Sequence, residues 1–293
     1  MTPKSLATEM LPVSVVIPTK NEAANLERSV GGSVAHATRV FVVDSQSTDG
    51  TPDLARRLGA EVWQFDYGGG YPKKRQWALE QIPFETPWVL LLDADEEVPA
   101  ALWEEIAVAV RDERVAAYFA RKEFHFLGRR LRFGGFSHSA ILLLRHGRAR
   151  FERPAFDDTS GLDMEVHERL LVSGPTRHLR APLLHYDQKG LSAYVDRHNR
   201  YATWDAAARR ALLERLTAGG EVVGRLFGNL QERRRFLKRL AIRMPFEPTL
   251  WFLYHYVVRL AFLEGRRGLI ASQIRAGYIA LSRAKLFEAS LRK

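Results

Sequence analysis

Trp88-Val-Leu-Leu-Leu92-Asp93-Ala-Asp95-Glu96-Glu97 is the stretch from which the fold can be read. Five apolar residues in succession make a short strand buried on both faces, and such strands belong to parallel sheets covered by helices. Functional groups in these sheets gather at the carboxyl ends of the strands. This end carries two carboxylates one residue apart, with two more beside them. Negative charge that dense is costly unless a cation neutralises it. Oxygen ligands suit Mg²⁺ or Mn²⁺, ions that commonly bridge to phosphate. Asp93 and Asp95 are therefore candidate metal ligands. Glu96 and Glu97 read as an acidic cap on the helix that follows Pro99.

Upstream, the chain alternates strand and helix three more times. Val13-Ser-Val-Val-Ile17 predicts a first strand ending at Pro18-Thr19. A helix follows from Asn21-Glu22 through Leu26 and Val30 to Gly31-Gly32. Val40-Phe-Val-Val43 is a second strand ending in Asp44-Ser45, where an acidic side chain can meet a base or ribose edge. Thr51-Pro52 starts the next helix, with Thr as N-cap, and Gly59 stops it. Glu61 to Phe65 is a third strand. Then Gly68-Gly-Gly-Tyr-Pro-Lys-Lys-Arg75 places three cations at a helix start, within reach of a diphosphate or a base. The spacing of a P-loop is absent.

Beyond residue 115 the pattern becomes irregular and partly antiparallel. Strands are expected at Tyr118 to Phe126, Ile141 to Leu144 and Val166 to Val172, with a glycine-rich loop at Phe133 to His138. Val166-His-Glu168 offers a general base and Leu184-His185 a metal ligand, though a lone His is more often structural. From Leu191 onward the chain reads as helical, and Gly219-Gly220 is the best candidate boundary. That gives a catalytic unit over 1–218 and a helical region over 219–293.

Composition narrows the classes. The chain has 293 residues, 46% hydrophobic and 27% charged, and no cysteine. Disorder, disulfide scaffolds, thiolate metal sites and cysteine nucleophiles are excluded. The net charge of +10 is unevenly spread. Residues from 191 on hold 20 Lys and Arg against 8 Asp and Glu, while the first 190 hold 24 against 26. Arg233 to Met244 mixes cations with apolar residues, and Trp251 to Val258 adds aromatics, a combination suited to an anionic membrane surface. A solvated basic face on a helical cap is the competing reading. No signal peptide and no spanning segment is expected, so the protein reads as cytoplasmic, with peripheral attachment to the inner membrane.

Together, Ser14-Val-Val-Ile-Pro-Thr-Lys-Asn-Glu22, Val42-Val-Asp-Ser-Gln-Ser-Thr-Asp-Gly-Thr51 and Leu91-Leu-Asp-Ala-Asp-Glu96 resemble the family 2 glycosyltransferases with a GT-A fold. Phe126-Leu-Gly-Arg129, Gly134-Gly-Phe136, Val166-His-Glu168, Pro182-Leu-Leu-His185 and His198-Asn-Arg-Tyr201 resemble the branch of lipopolysaccharide-core β-1,4-glucosyltransferases and exopolysaccharide transferases. The resemblance implies an α/β fold with a mixed central sheet, a basic helical extension, and inverting transfer from a UDP-linked sugar to a glycan or glycolipid acceptor. It implies that Pro18, Thr19, Glu22, Asp44, Ser45 and Lys74 hold the nucleoside with Asp93 and Ala94. It also implies that Asp93, Asp95 and His185 hold Mg²⁺ or Mn²⁺. Arg75 stands where relatives often carry Asn. Glu168 is the first candidate for the base, and Asp158 of the Asp157-Asp158 pair the second.

Three other readings compete. An apolar strand ending in Asp-x-Asp also opens haloacid-dehalogenase-like phosphatases, but there it is normally the first strand. A nucleotidyltransferase would carry a glycine-rich basic N-terminal signature. A non-catalytic basic protein that binds nucleic acid or membrane explains the charge but leaves Asp93 and Asp95 idle. Nucleic acid is not an expected partner of the transferase.

Overall fold

The computed structural model describes residues 10–153, 170–186, 189–213, 225–227 and 230–291. The first two-thirds alternates strands and helices. In chain order these are β1 (Leu11–Thr19), α1 (Leu26–Val34), β2 (Ala37–Asp44), α2 (Thr51–Arg57), β3 (Glu61–Gln64), α3 (Lys74–Gln81), β4 (Trp88–Leu91), β5 (Glu96–Glu97) and α4 (Ala100–Ala109). Seven strands follow: β6 (Ala117–Phe126), β7 (Arg129–Arg130), β8 (His138–Arg145), β9 (Ala149–Phe151), β10 (Leu170–Val172), β11 (Thr176–His178) and β12 (Leu183–His185). The described C-terminal part is helical: α5 (Gly190–Leu213), α6 (Leu230–Arg243), α7 (Glu247–Leu253), a π-helical turn (Tyr254–Val258), a 3₁₀ turn (Ala261–Glu264) and α8 (Gly265–Leu291).

Ten of the described strands form one mixed sheet in the order β3-β2-β1-β4-β8-β6-β12-β5, with β7 and β11 also paired to β6. The first four in this order run parallel, and β8 runs antiparallel to both β4 and β6. β1 and β4 are buried on both faces, as their unbroken apolar runs require. Val13, Val15 and Ile17 join Trp88 and Leu90 under α1 and α4, while Val16 joins Val89 and Leu91 on the α3 side. This is the alternation of a pleated strand, and truncating a side chain such as Leu90 would cost about 2–5 kcal/mol.

Two helix boundaries depart from expectation. α1 starts at Leu26, because residues 21–25 are held as turns against the loop after β2. It then runs through Gly31-Gly32 to Val34, which packs on the core. At α2 the cap is Gly50, at φ +81°, and not Thr51. The Thr51 hydroxyl is used elsewhere: it donates to Asp49 and accepts from the Glu22 backbone N–H at 2.8 Å.

The C-terminal helices seat on the far end of the sheet through an aromatic cluster. Phe124, Phe126, Leu131 and Phe136 meet Ala261, Ala271, Tyr194, Trp251 and Tyr256. Arg209 of α5 is buried, pairs with Asp205 at 2.5 Å and with Glu247 of α7 at 2.7 Å, and Arg283 of α8 reaches the same Glu247 at 3.1 Å. The expected boundary at 218/219 lies outside the described residues.

Candidate active site

A cleft of about 750 Å³ opens over the carboxyl ends of β1 and β4 and is walled opposite by α5 and α8. Of the residues singled out in the sequence, Pro18, Thr19, Glu22, Lys74, Asp93, Ala94, Asp95 and His185 line it. Asp44 and Ser45 stand behind that wall. Glu168 and Asp158 lie outside the described residues.

The β1 end is set by loop-to-loop hydrogen bonds. Asp44 is fully buried and accepts from the Thr19 hydroxyl at 2.8 Å, from the Ser47 N–H at 2.9 Å and hydroxyl at 2.5 Å, and from Gln64 at 3.4 Å. Its oxygens hold the first two strand ends in register, and a ligand base would have to take over one of these acceptor positions. The buried Ser45 hydroxyl finds no partner among the described residues. Asn21, at φ +54°, accepts from Thr48 and donates its backbone N–H to Ser47. Lys74 is buried and donates to the Thr19 carbonyl at 2.6 Å. Glu22 accepts from Asn25 at 2.8 Å and Lys189 at 2.5 Å. Burial pushes the Glu22 carboxyl up, against the pull of Lys189.

The β4 end is a set of balanced charges. Asp93 is gripped by Arg75 and by Lys122, the latter at 3.1 Å. Burial would raise its carboxyl, but these two cations override it and hold Asp93 well below the usual carboxylate range. Lys122 also meets Glu96 at 2.5 Å, and Glu96 in turn accepts the Asp93 backbone N–H at 2.9 Å. Glu96 is thus no surface cap, as the sequence suggested. It is 1% exposed, because β5 pairs with β12 and draws it inward, and burial followed by the Asp93 charge pushes its carboxyl up. Asp95 meets His185 Nε2 at 3.0 Å. Burial opposes charge on both, yet each ionises the other: Asp95 is lowered and His185 raised to about 9.

Whether a divalent ion fits can be judged from the donors. Among the described residues no three acidic or imidazole groups converge on one point. Asp95, in the turn just before β5, and His185, at the end of β12, nevertheless present an oxygen and a nitrogen side by side, lining the cleft. Mg²⁺ and Mn²⁺ sites commonly use one or two protein ligands and complete the shell with phosphate and water. The pair fits such an ion once His185 gives up its Nε2 proton, because only the neutral ring ligates a metal. Asp93 stands with its own two cations.

Several cleft residues were not among the sequence candidates for the site. Lys122 and His138 come from β6 and β8, Arg197 and Tyr201 from α5, Arg275 and Tyr278 from α8. His138 is pushed down by its place against the cleft wall and by the charges of Lys122 and Arg275. Arg275 is half-buried and makes no hydrogen bond or ion pair among the described residues. Helical periodicity marks α5 and α8 in the sequence, and the resemblance adds His198-Asn-Arg-Tyr201 in α5, but neither shows which residues reach across to the strands.

The sequence profile described as glycosyl transferase family 2 matches residues 14–165, just over half of the chain. The chain belongs to glycosyl transferase family 2. The GT-A-type fold expected from the strand-end motifs agrees with that membership and with the sheet order. The chain is similar to the lipopolysaccharide core biosynthesis glycosyltransferase LpsC of Rhizobium meliloti, 27% identical over 95% of this chain and 93% of that protein. An uncharacterized glycosyltransferase of Rickettsia typhi is 28% identical over 97% and 89%. Among solved structures, a mannosyltransferase of Pyrobaculum calidifontis in complex with GDP-mannose and Mn²⁺ is 17% identical over 96% and 88%, at a TM-score of 0.44. The family 2 chain described here is therefore a transferase.

Proposed function

We propose that this transferase moves a sugar, with inversion, from a UDP-linked donor to a hydroxyl of a lipopolysaccharide-core, exopolysaccharide or lipid-linked glycan. The observation that carries the reading is the gathering of Thr19, Glu22, Lys74, Asp93, Asp95 and His185 around one cleft. The nucleoside belongs at the β1 end, between Pro18, Thr19, Glu22 and Lys74, with Asp44 and Ser45 behind. The diphosphate then lies toward Asp93 to Asp95. Lys74 is held by the Thr19 carbonyl, and Arg75 and Lys122 by Asp93, so these groups are oriented by the protein itself toward charge developing on the leaving diphosphate. Asp95 and His185 would hold Mg²⁺ or Mn²⁺, which supplies Lewis-acid stabilisation of that leaving group. The acceptor belongs on the β8–β6 side, where His138, Tyr201, Arg275 and Tyr278 line the cleft. Glu168 is proposed as the base that takes the acceptor proton, with Asp158 second.

The name of the Rhizobium relative supports a lipopolysaccharide-core acceptor. No described helix is long and apolar enough to cross a membrane. We place the enzyme at the cytoplasmic face of the inner membrane, on an anionic surface where a nucleotide sugar and a lipid-linked acceptor meet.

Thermal unfolding with a panel of nucleoside diphosphates, with and without Mn²⁺, tests the donor assignment, since a ligand bound to the native state raises its Tm. A Mn²⁺-dependent rise with UDP, lost in Asp95→Ala, is expected. A folded protein that responds to no nucleotide would overturn the reading. For the base, Glu168→Gln should bind donor normally and turn over poorly, and near-normal turnover would transfer the role to Asp158.

A further inference from the structure

Residues 243–267 link α6 to α8 and present two unlike sides. The inner side is firmly tied. His255 donates through Nδ1 to the Gly134 carbonyl at 2.6 Å, and the Gly134 N–H donates to the Arg259 carbonyl at 2.7 Å. Glu264 is buried and accepts the backbone N–H groups of Arg132 at 2.5 Å and Phe133 at 2.8 Å. Trp251 stacks on His255 with ring centroids 3.8 Å apart.

The outer side is apolar. Phe246, Leu250, Leu253, Tyr254, Val257, Val258, Leu260, Phe262 and Leu263 are all between 41% and 69% exposed. Nine such side chains within eighteen residues are more than the single exposed leucines any soluble surface carries. Leu260 has φ +62°, a left-handed conformation that branched side chains avoid, and it leaves Leu260 facing outward.

The charges sort in the same way. Residues 243–267 contain four arginines and two glutamates. Glu247 points inward to Arg209 and Arg283, and Glu264 caps the 132–133 backbone. The exposed charges are Arg243, Arg259, Arg266 and Arg267. The outer face is therefore apolar with a cationic border and no exposed acid. A second copy of the same face would meet it with like charge, whereas an anionic bilayer offers apolar depth and a complementary surface potential.

We propose that residues 246–263 are an in-plane membrane-insertion element that docks this enzyme on an anionic lipid bilayer. This narrows the broad stretch from Arg233 to Val258 that the sequence marks, moving the contact from the basic residues 233–244 to the exposed apolar side chains of 246–263. The thirteen residues from Phe246 to Val258 extend only about 20 Å as helix, too short to span, so the element lies in the interface with the arginines reaching headgroup phosphates. Its inner side packs on the loop carrying Phe136, a cleft-lining residue, and α8 continues directly to Arg275 and Tyr278. Docking thus brings the cleft to the membrane surface, where, on the transferase reading, a glycolipid head group would be the acceptor.

Flotation of the full chain tests this, using vesicles of phosphatidylcholine alone and of phosphatidylcholine mixed with phosphatidylglycerol. Wild type should float with the mixed vesicles and about tenfold more weakly with the neutral ones. Val258→Glu should abolish flotation while keeping the wild-type unfolding temperature, because the side chain is exposed. Arg266→Glu should weaken binding to the mixed vesicles only. No flotation of wild type, or undiminished flotation of Val258→Glu, would overturn the proposal. So would a concentration-dependent dimer in sedimentation equilibrium that Val258→Glu dissolves, since a second copy would then cover the face. Nucleotide-dependent Tm shifts, read on the same samples, report the donor site separately. A protein that floats but ignores UDP keeps the docking element and loses the donor assignment, and the reverse outcome keeps only the latter.

Discussion

The two walls of the cleft are built on different principles. The strand-end wall is made of short loops that hydrogen-bond to one another: Thr19 to Asp44, Asn21 to Ser47 and Thr48, Glu22 to Thr51, Ala23 to Asp49. The partners run from the last strand residues, Thr19 and Asp44, through the loops that follow them to Thr51 at the start of α2, so chemistry and position come from two short stretches of sequence. The helical wall is made of Arg197, Tyr201, Arg275 and Tyr278, projected from α5 and α8 and held by packing between those helices. The first wall is a matter of local sequence and the second of tertiary assembly. Substitutions on the first should abolish chemistry outright, and those on the second should tune what is accepted.

The largest effect expected from this contrast is at Asp95. Asp95→Ala should cut turnover about a hundred- to thousandfold, measured at saturating donor and Mn²⁺, because it removes one of the two groups proposed to hold the metal. Next is Lys122→Met, which leaves buried Glu96 without its counter-charge and Asp93 with Arg75 alone. A loss of about 3 kcal/mol in urea unfolding is expected, and a change below about 1 kcal/mol would show that the β4 end does not depend on that cation.

A third prediction concerns pH. The His185 pKa is raised from 6.5 to about 9, chiefly by Asp95 acting against burial. Its stabilising contribution is therefore complete below pH 6.5 and is lost as pH rises through 9. Chelator-treated wild type should lose on the order of 2 kcal/mol over that window, and His185→Gln should flatten the profile. A wild-type profile already flat there would separate His185 from Asp95.

On the helical wall, Arg275→Gln should raise the acceptor KM about tenfold and leave the UDP-dependent Tm shift unchanged. Equal loss of donor binding would erase the distinction between the walls. The smallest effect is reserved for a position on neither. Arg39 pairs on the surface with Glu61 and Glu85, each at 3.1 Å, and Arg39→Ala should change stability by less than about 1 kcal/mol and turnover not at all.

What could be read in advance follows the same division. β1, β2 and β4 were legible because uninterrupted apolar runs leave few alternatives, and Asp93 and Asp95 as cleft residues because they follow such a run directly. His185 was picked out by the family resemblance and not by its position, which alone favours a structural histidine. Glu96 was misjudged, since a two-residue strand such as β5 has no periodicity to announce it. The α1 start was placed too early because Asn21 and Glu22, good helix starters in isolation, are claimed by the loop after β2. Arg275 and Tyr278 lie more than 180 residues beyond Asp93. Nothing in a single sequence says that helix and strand will face each other across a ligand.

Gly134 carries a practical consequence. A Cβ there would overlap the Phe136 ring and the Ala261 methyl, so the 133–137 loop and the segment after α7 touch backbone against side chain with no room to spare. Ending the chain near residue 218 would strip this contact away. It would leave Phe124, Phe126, Leu131 and Phe136 open to water and the N–H groups of Arg132, Phe133 and Gly134 without their acceptors. The strand-rich part is expected to aggregate when produced alone. Grafting its helices onto another family member would require the 129–137 loop to travel with them as one cassette.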